Sequence, residues 1–177
     1  MTCFKKILLL SLFALTPLMG YASNNSELEQ QRTTFQQAKK ALEKKDFYQF
    51  NQLKKQLGNY PLHHYLEYRY LRSKLHQSSP DSIAQFIEQN NDAFYAPRLR
   101  NIWLDHLAKN RQWHLYLKYY QTPQPSARQC TRLRALIATG QHLKVLADIR
   151  PLWLVGKSQH KNCDFAFQYW QGKGKLT

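Results

Sequence analysis

Apolar side chains return every three to four positions along almost all of the sequence from Thr33 onward, and no stretch alternates apolar with polar between glycine turns. That period belongs to helices burying one face each, and it leaves no room for a sheet. The spacing predicts a helix over Thr33–Glu43 with Phe35, Ala38 and Leu42 inward. Asp46 is placed to cap a second helix that buries Phe47, Phe50, Leu53 and Leu57. Gly58 and Pro61 punctuate its end and open a third, carrying Leu62, Tyr65, Leu66 and Tyr68. Ser79-Pro80-Asp81 starts a helix with Ile83, Phe86 and Ile87 inside. Further helices are predicted over residues 94–109 (Leu99, Trp103 and Leu107 inward), Trp113–Tyr120, Ser126–Ala138, Gln141–Ile149 and Cys163–Trp170.

The joints between helices resemble one another. Ala41-Leu42-Glu43-Lys44-Lys45-Asp46-Phe47, then Phe50, aligns with Leu107-Ala108-Lys109-Asn110-Arg111-Gln112-Trp113, then Tyr116. A third copy reads Ile137-Ala138-Thr139-Gly140-Gln141-His142-Leu143, then Leu146. With Ile83 between the first two, the anchors Phe47, Ile83, Trp113 and Leu143 are spaced 36, 30 and 30 residues apart. This is the period of a solenoid of helix pairs, each burying its face on its neighbour. A compact bundle of the same helices is the competing architecture.

Residues 1–22 have the form of a secretory signal. Lys5 and Lys6 form a basic start, Ile7–Met19 an apolar stretch, and Gly20-Tyr21-Ala22 a small-x-small cleavage site before Ser23. The apolar stretch is shorter than the ~20 residues that span a bilayer. An uncleaved anchor is the alternative. The expected location is the periplasm, by Sec export, with no stable membrane span once Ala22–Ser23 is cut.

Charge takes its meaning from that compartment. The chain carries 26 Lys and Arg against 11 Asp and Glu, a formal charge of +15, which in a cytoplasmic protein points to nucleic acid. Export excludes that partner and replaces it with peptidoglycan carboxylates and other anionic polymers. A basic surface that only keeps the protein soluble is the plainer alternative. Hydrophobic residues at 43% argue against disorder.

Cys130 and Cys163 remain after the signal, and an even count in an oxidising compartment predicts one disulfide. Closing a loop of this length is worth roughly 3–4 kcal/mol. No CxxC pair competes for them, and no His stands at zinc-ligand spacing.

No stretch carries a recognisable reaction. A nucleophile elbow, a phosphate-binding glycine loop and HExxH are all missing, so no catalytic, cofactor-binding or metal-ligating residue is assigned. His63-His64 lie about 100° apart on a helix and make a poor chelate. Glu43, Glu67, Glu88, Asp105 and Asp148 read as caps or i,i+4 partners. Trp103, Trp113, Trp153 and Trp170 read as groove fillers between paired helices, with stacking on sugar rings as the alternative. A site converging from several helices stays open.

Tyr60-Pro61-Leu62 followed by Tyr65-Leu66-Glu67-Tyr68 resembles the N-terminal helical region of the soluble lytic murein transglycosylase family. The likeness extends through Gln31-Arg32, Phe35, Ala38 and Ala41-Leu42, and through Leu99-Arg100, Trp103-Leu104, Leu107-Ala108 and Trp113. Its most specific part is Cys130 with Leu152-Trp153-Leu154, Gly156, Ser158, Cys163-Asp164, Phe167 and Trp170. The resemblance implies an all-α, right-handed superhelical array of helix pairs, a TPR-like α-solenoid of about nine helices called the U-domain. In that family a separate lysozyme-like domain cleaves the MurNAc–GlcNAc bond to leave a 1,6-anhydro end. Its Glu-Ser and Gly-Leu-Met-Gln signatures do not occur here.

The expected organisation is therefore signal peptide over 1–22, U-domain-like superhelix over 23–171 and a short tail over 172–177, with the catalytic domain absent. The expected function is that of an exported fragment of such a transglycosylase, inactive alone. The alternative is a periplasmic helical-repeat module that binds or scaffolds glycan strands or cell-wall proteins. His64 and His160 stand where the family often has Pro, a departure expected to loosen those turns.

Overall fold

The computed structural model describes residues 20–174, with side chains from position 25. The expected signal segment lies outside the described residues over positions 1–19, and so do the side chains of Ala22 and Ser23. Among the described residues the chain is all-α, with nine α-helices, one short 3₁₀ turn and no strand. The helices are α1 (Gly20–Glu43), α2 (Phe47–Gln56), α3 (His63–Ser73), α4 (Pro80–Gln89), α5 (Tyr95–Lys109), α6 (Trp113–Tyr119), α7 (Ser126–Ala138), α8 (His142–Trp153) and α9 (Asp164–Gln171); the 3₁₀ turn is Lys161–Cys163.

The chain divides into two compact units between His63 and His64. In the first, α1 packs on α2, and Phe35, Ala38, Ala41, Leu42, Phe50, Leu57 and Tyr60 are all buried. Phe35 and Tyr60 meet ring to ring, 5.5 Å between centroids. Asp46 caps α2, its Oδ1 accepting from the Gln49 N–H at 2.9 Å.

In the second unit each helix from α4 onward packs on the next in sequence, and α9 returns to both α7 and α8. One apolar cluster runs from Tyr68 through Ile83, Phe86, Leu99, Trp103 and Leu107 to Tyr116. Another gathers Cys130, Leu133, Leu136, Val145, Ile149, Leu152, Cys163, Ala166 and Trp170, and Leu117 touches both. Ser79 caps α4 through the Ser82 N–H, with Pro80 in the first turn, as its Ser-Pro-Asp start requires.

Three helix joints share one backbone solution. Lys45, Arg111 and Gly140 take the left-handed conformation, with φ of 60°, 56° and 73°. The next residue then donates its N–H back across the helix end: Asp46 to Ala41, Gln112 to Leu107 and Gln141 to Leu136, at 2.9, 2.9 and 2.8 Å. This is a Schellman closure, which satisfies the last carbonyls of one helix while turning the chain into the next. Four residues after each turn residue of the Asp46 type, a side chain drives into the core: Phe50, Tyr116 and Val145. Ile83 holds the same place after Ser79. These four positions are 33, 33 and 29 residues apart.

That register corrects the third copy read from the sequence. Gly140, not Gln141, is the equivalent of Lys45 and Arg111, so the inward residue is Val145 in place of Leu146. Leu143, expected as an anchor, is 84% exposed. The left-handed residue sets the helix phase, and the apolar pair that suggested the alignment lies one step off it. Leu62 is likewise exposed and precedes α3, which buries Leu66, Tyr68 and Leu71 instead. Helix α1 begins well before Thr33. Helix α8 runs past Ile149 and Pro151 to Trp153, because a proline in the last turn forfeits a single ladder bond.

Cys130 on α7 is bonded to Cys163 in the 3₁₀ turn, both sulfurs fully buried. Beside it Asn162 Nδ2 donates to Thr131 Oγ1 at 3.2 Å, a second tie between turn and helix. His160 Nδ1 accepts from the Asn162 N–H at 3.1 Å and so caps the turn. Where loosening was expected at this position, the imidazole closes the turn with a hydrogen bond that a proline ring has no atom to make.

Candidate functional site

The titratable residues singled out by the sequence do not converge. Asp105 and Asp148 are neither caps nor i,i+4 partners; each ties two helices together. Arg128 grips Asp105 with both guanidinium arms, Nε to Oδ1 at 3.1 Å and Nη2 to Oδ2 at 2.9 Å, joining α7 to α5. Arg132 pairs with Asp148, joining α7 to α8. His63 is half-buried and His64 exposed. No group of three or more His, Cys, Asp or Glu able to hold a metal occurs among the described residues. Trp103 and Trp170 fill the core as expected, Trp113 is half-buried, and Trp153 is 37% exposed, edge-on to Phe167.

A cleft the sequence did not mark opens in the second unit between α4, α5 and α6, with a volume of about 280 Å³. Helix α4 supplies Ala84, Ile87 and Glu88, which with Asn91 just beyond form one i, i+3, i+4, i+7 face. Helix α5 supplies Arg100 and Trp103, three residues apart and so on the same side. Lys118 and Tyr119 close the cleft from the end of α6, with Gln121 after them. The apolar partners set this geometry: Ile87 and Trp103 belong to the core cluster, and the Trp103 ring lies 4.4 Å from that of Tyr119. The polar groups are what remains on the open side.

The Arg100 guanidinium is half-buried, and burial lowers its pKa. It makes no hydrogen bond or ion pair with any described residue. Lys118 holds its ammonium 4.9 Å from the Tyr119 ring centroid, and hydrogen bonding to Tyr119 raises its pKa. Glu88 contributes the one negative charge.

A second cleft of about 360 Å³ lies between α7, α8 and the loop through Pro123. Its cation is already occupied: Arg132 is paired with Asp148 and sits 5.5 Å over the Tyr120 ring. Burial raises the Tyr120 pKa, while Arg132 pulls it the other way.

Glu88 was read from the sequence as a cap or i,i+4 partner, and its grouping with Arg100 and Lys118 was not visible because the three lie 12 and 18 residues apart on three helices. Only the register of those helices, once fixed by their buried faces, brings them together. Arg100 stood inside a stretch of family likeness, with nothing local to mark it as unpaired.

Comparison with known proteins places the chain. No protein-family model matches it. It is 32% identical over 149 residues to a soluble lytic murein transglycosylase of Salmonella typhimurium and 30% identical over the same length to that of Escherichia coli, covering 84% of this chain. In both cases the chain spans only 23% of the relative's length. The crystal structure of the 70-kDa soluble lytic transglycosylase from E. coli superposes with a TM-score of 0.75 over 85% of this chain and 24% of that one.

Proposed function

We propose that this chain, homologous over 84% of its length to soluble lytic murein transglycosylases, is the N-terminal helical region of an exported protein of that kind, and that its part in peptidoglycan turnover is non-catalytic. One observation carries the reading: sequence and fold agree over the same span, with 30% identity and a TM-score of 0.75 over 85% of the chain. A family resting on packed helix pairs alone would share the fold without this identity. The sequence features that resemble the family most specifically, around Cys130, Leu152 and Cys163, are buried together in one apolar cluster.

The non-catalytic role is supported by the acids themselves. Glycosidic cleavage by acid–base chemistry needs a carboxyl kept protonated in a cleft. Asp105 and Asp148 are committed to ion pairs with Arg128 and Arg132 between helices, away from any cleft-lining pair of acids. Glu88, the one acid lining the cleft between α4, α5 and α6, shares it with Arg100 and Lys118 and has no second carboxyl beside it there. These residues suit the holding of a ligand better than the donation of a proton to a leaving oxygen.

Export is part of the proposal and is tested directly. Expressed in a Gram-negative host, the protein is expected in the periplasmic fraction, with Ser23 at its N-terminus. Recovery of the intact chain from the cytoplasm would overturn the export reading.

A further inference from the structure

Arg100 is half-buried and lines a cleft with Trp103, where its guanidinium still reaches solvent and makes no hydrogen bond or ion pair with any described residue. A planar fork of donors held in a cleft and unused by the protein is placed to bond a ligand. We infer that this cleft is a binding site for a small monocarboxylate, with Arg100 as the group that takes the carboxylate and Lys118, Asn91 and Gln121 around it.

Three features of the site set the ligand class. Arginine's planar fork matches a carboxylate with two parallel hydrogen bonds. Glu88 lines the cleft and Asp81 acts on Lys118, so Arg100 is left as the cation without an acidic partner, which suits one carboxylate better than a dianion such as phosphate. The volume of about 280 Å³ falls just below the range of ~300–1,000 Å³ that takes drug-sized molecules, and so suits a single sugar or amino-acid unit. The amides of Asn91 and Gln121 and the Glu88 carboxylate are suited to hydroxyl and N–H groups on such a unit. The second cleft offers none of this, since its arginine is neutralised within the protein by Asp148.

Read together with the cell-wall role proposed above, on which the choice of probes rests, the carboxylate has two sources: an acid sugar or an amino-acid terminus. N-acetylmuramic acid and N-acetylalanine represent them. N-acetylglucosamine has the same ring as the first without its carboxylate, and inorganic phosphate supplies the dianion. Titration of the purified full chain, followed by NMR or calorimetry, is expected to show binding of at least one carboxylate probe and at least tenfold weaker binding of N-acetylglucosamine and phosphate. Which of the two carboxylates binds more tightly identifies the source.

Arg100→Gln is expected to weaken that binding at least tenfold, and Lys118→Gln, at an exposed position, to weaken it by a smaller factor. Circular dichroism confirms that both variants are folded, and Lys118→Gln still tests the site if Arg100→Gln is not. Equal binding of N-acetylglucosamine, preferential binding of phosphate, or indifference of the carboxylate affinity to both substitutions would each overturn the inference. Loss of the site leaves periplasmic location untouched, and a cytoplasmic protein that still binds the carboxylate would fail the functional reading alone.

Discussion

The hydroxyl of Tyr116 donates to the backbone carbonyl of Arg128 at 3.2 Å, linking α6 to α7 from inside the larger apolar cluster. Its ring is 1% exposed, and it is the inward residue of its helix joint. Burial, then the neighbouring Tyr120, push its pKa above the ordinary 10.0, while Arg128 and Arg132 oppose the shift. The folded state therefore keeps the proton at a pH where the unfolded chain loses it. This contribution is complete below pH 10 and falls as pH rises beyond it, by up to ~1.4 kcal/mol per pH unit. Tyr116→Phe is expected to cost about 1 kcal/mol at pH 7 and to flatten the alkaline loss. Urea denaturation from pH 7 to 11.5 measures both. Tyr120 and Tyr95, whose pKa values are also raised, keep part of the alkaline slope in the variant.

The shared joint makes opposite predictions for its three copies. Arg111 and Lys45 hold a left-handed backbone that side chains adopt at a cost of roughly 1–2 kcal/mol, whereas Gly140 holds it without strain. Arg111→Gly is expected to stabilise by about 1 kcal/mol, and Gly140→Ala to destabilise by about the same. No atom lies within 4 Å of a Cβ added at Gly140, so the effect there is conformational and not a clash. Thermal melts of the two variants, shifting in opposite directions, check the assignment.

Register in the third copy is tested by a pair of neighbours. Val145 is fully buried and Leu143 is 84% exposed, though the sequence pattern favours the leucine as anchor. Val145→Ala is expected to cost about 2 kcal/mol, and Leu143→Ala to stay within ~0.5 kcal/mol. A reversed order in chemical denaturation would restore the alignment read from the sequence.

The Cys130–Cys163 bond staples the 3₁₀ turn and α9 to α7 across 33 residues of chain. Its loss is expected to lower stability by roughly 2–4 kcal/mol. Denaturation of the protein with and without reductant, compared with the double Cys→Ala variant, measures this. Two free thiols in protein purified from the periplasm would contradict the bond itself.

Helices with a strong local period were legible in the sequence. Residues 126–138 and 95–109, and the Ser79 and Asp46 caps, follow from spacing and capping chemistry alone. Phase at the joints was not, because Lys45 and Arg111 adopt a conformation their residue types do not advertise. The ion pairs Arg128–Asp105 and Arg132–Asp148 bridge 23 and 16 residues, beyond any local rule for pairing charges. The cleft at Arg100 was the least visible feature, since it consists of what three packed helices leave unsatisfied. The His160 cap was obscured for another reason: a residue standing in for proline reads as a loss until the bond it accepts is seen.

The central claim is that these helices serve peptidoglycan turnover without themselves breaking the glycan. Its most direct test is to incubate the purified protein with isolated sacculi in low salt, pellet them, and analyse both fractions. The account predicts protein in the pellet, released by high salt as its excess of basic residues requires, and a supernatant without 1,6-anhydromuropeptides. Protein left in the supernatant at low salt, or anhydromuropeptides released by this chain alone, would contradict it.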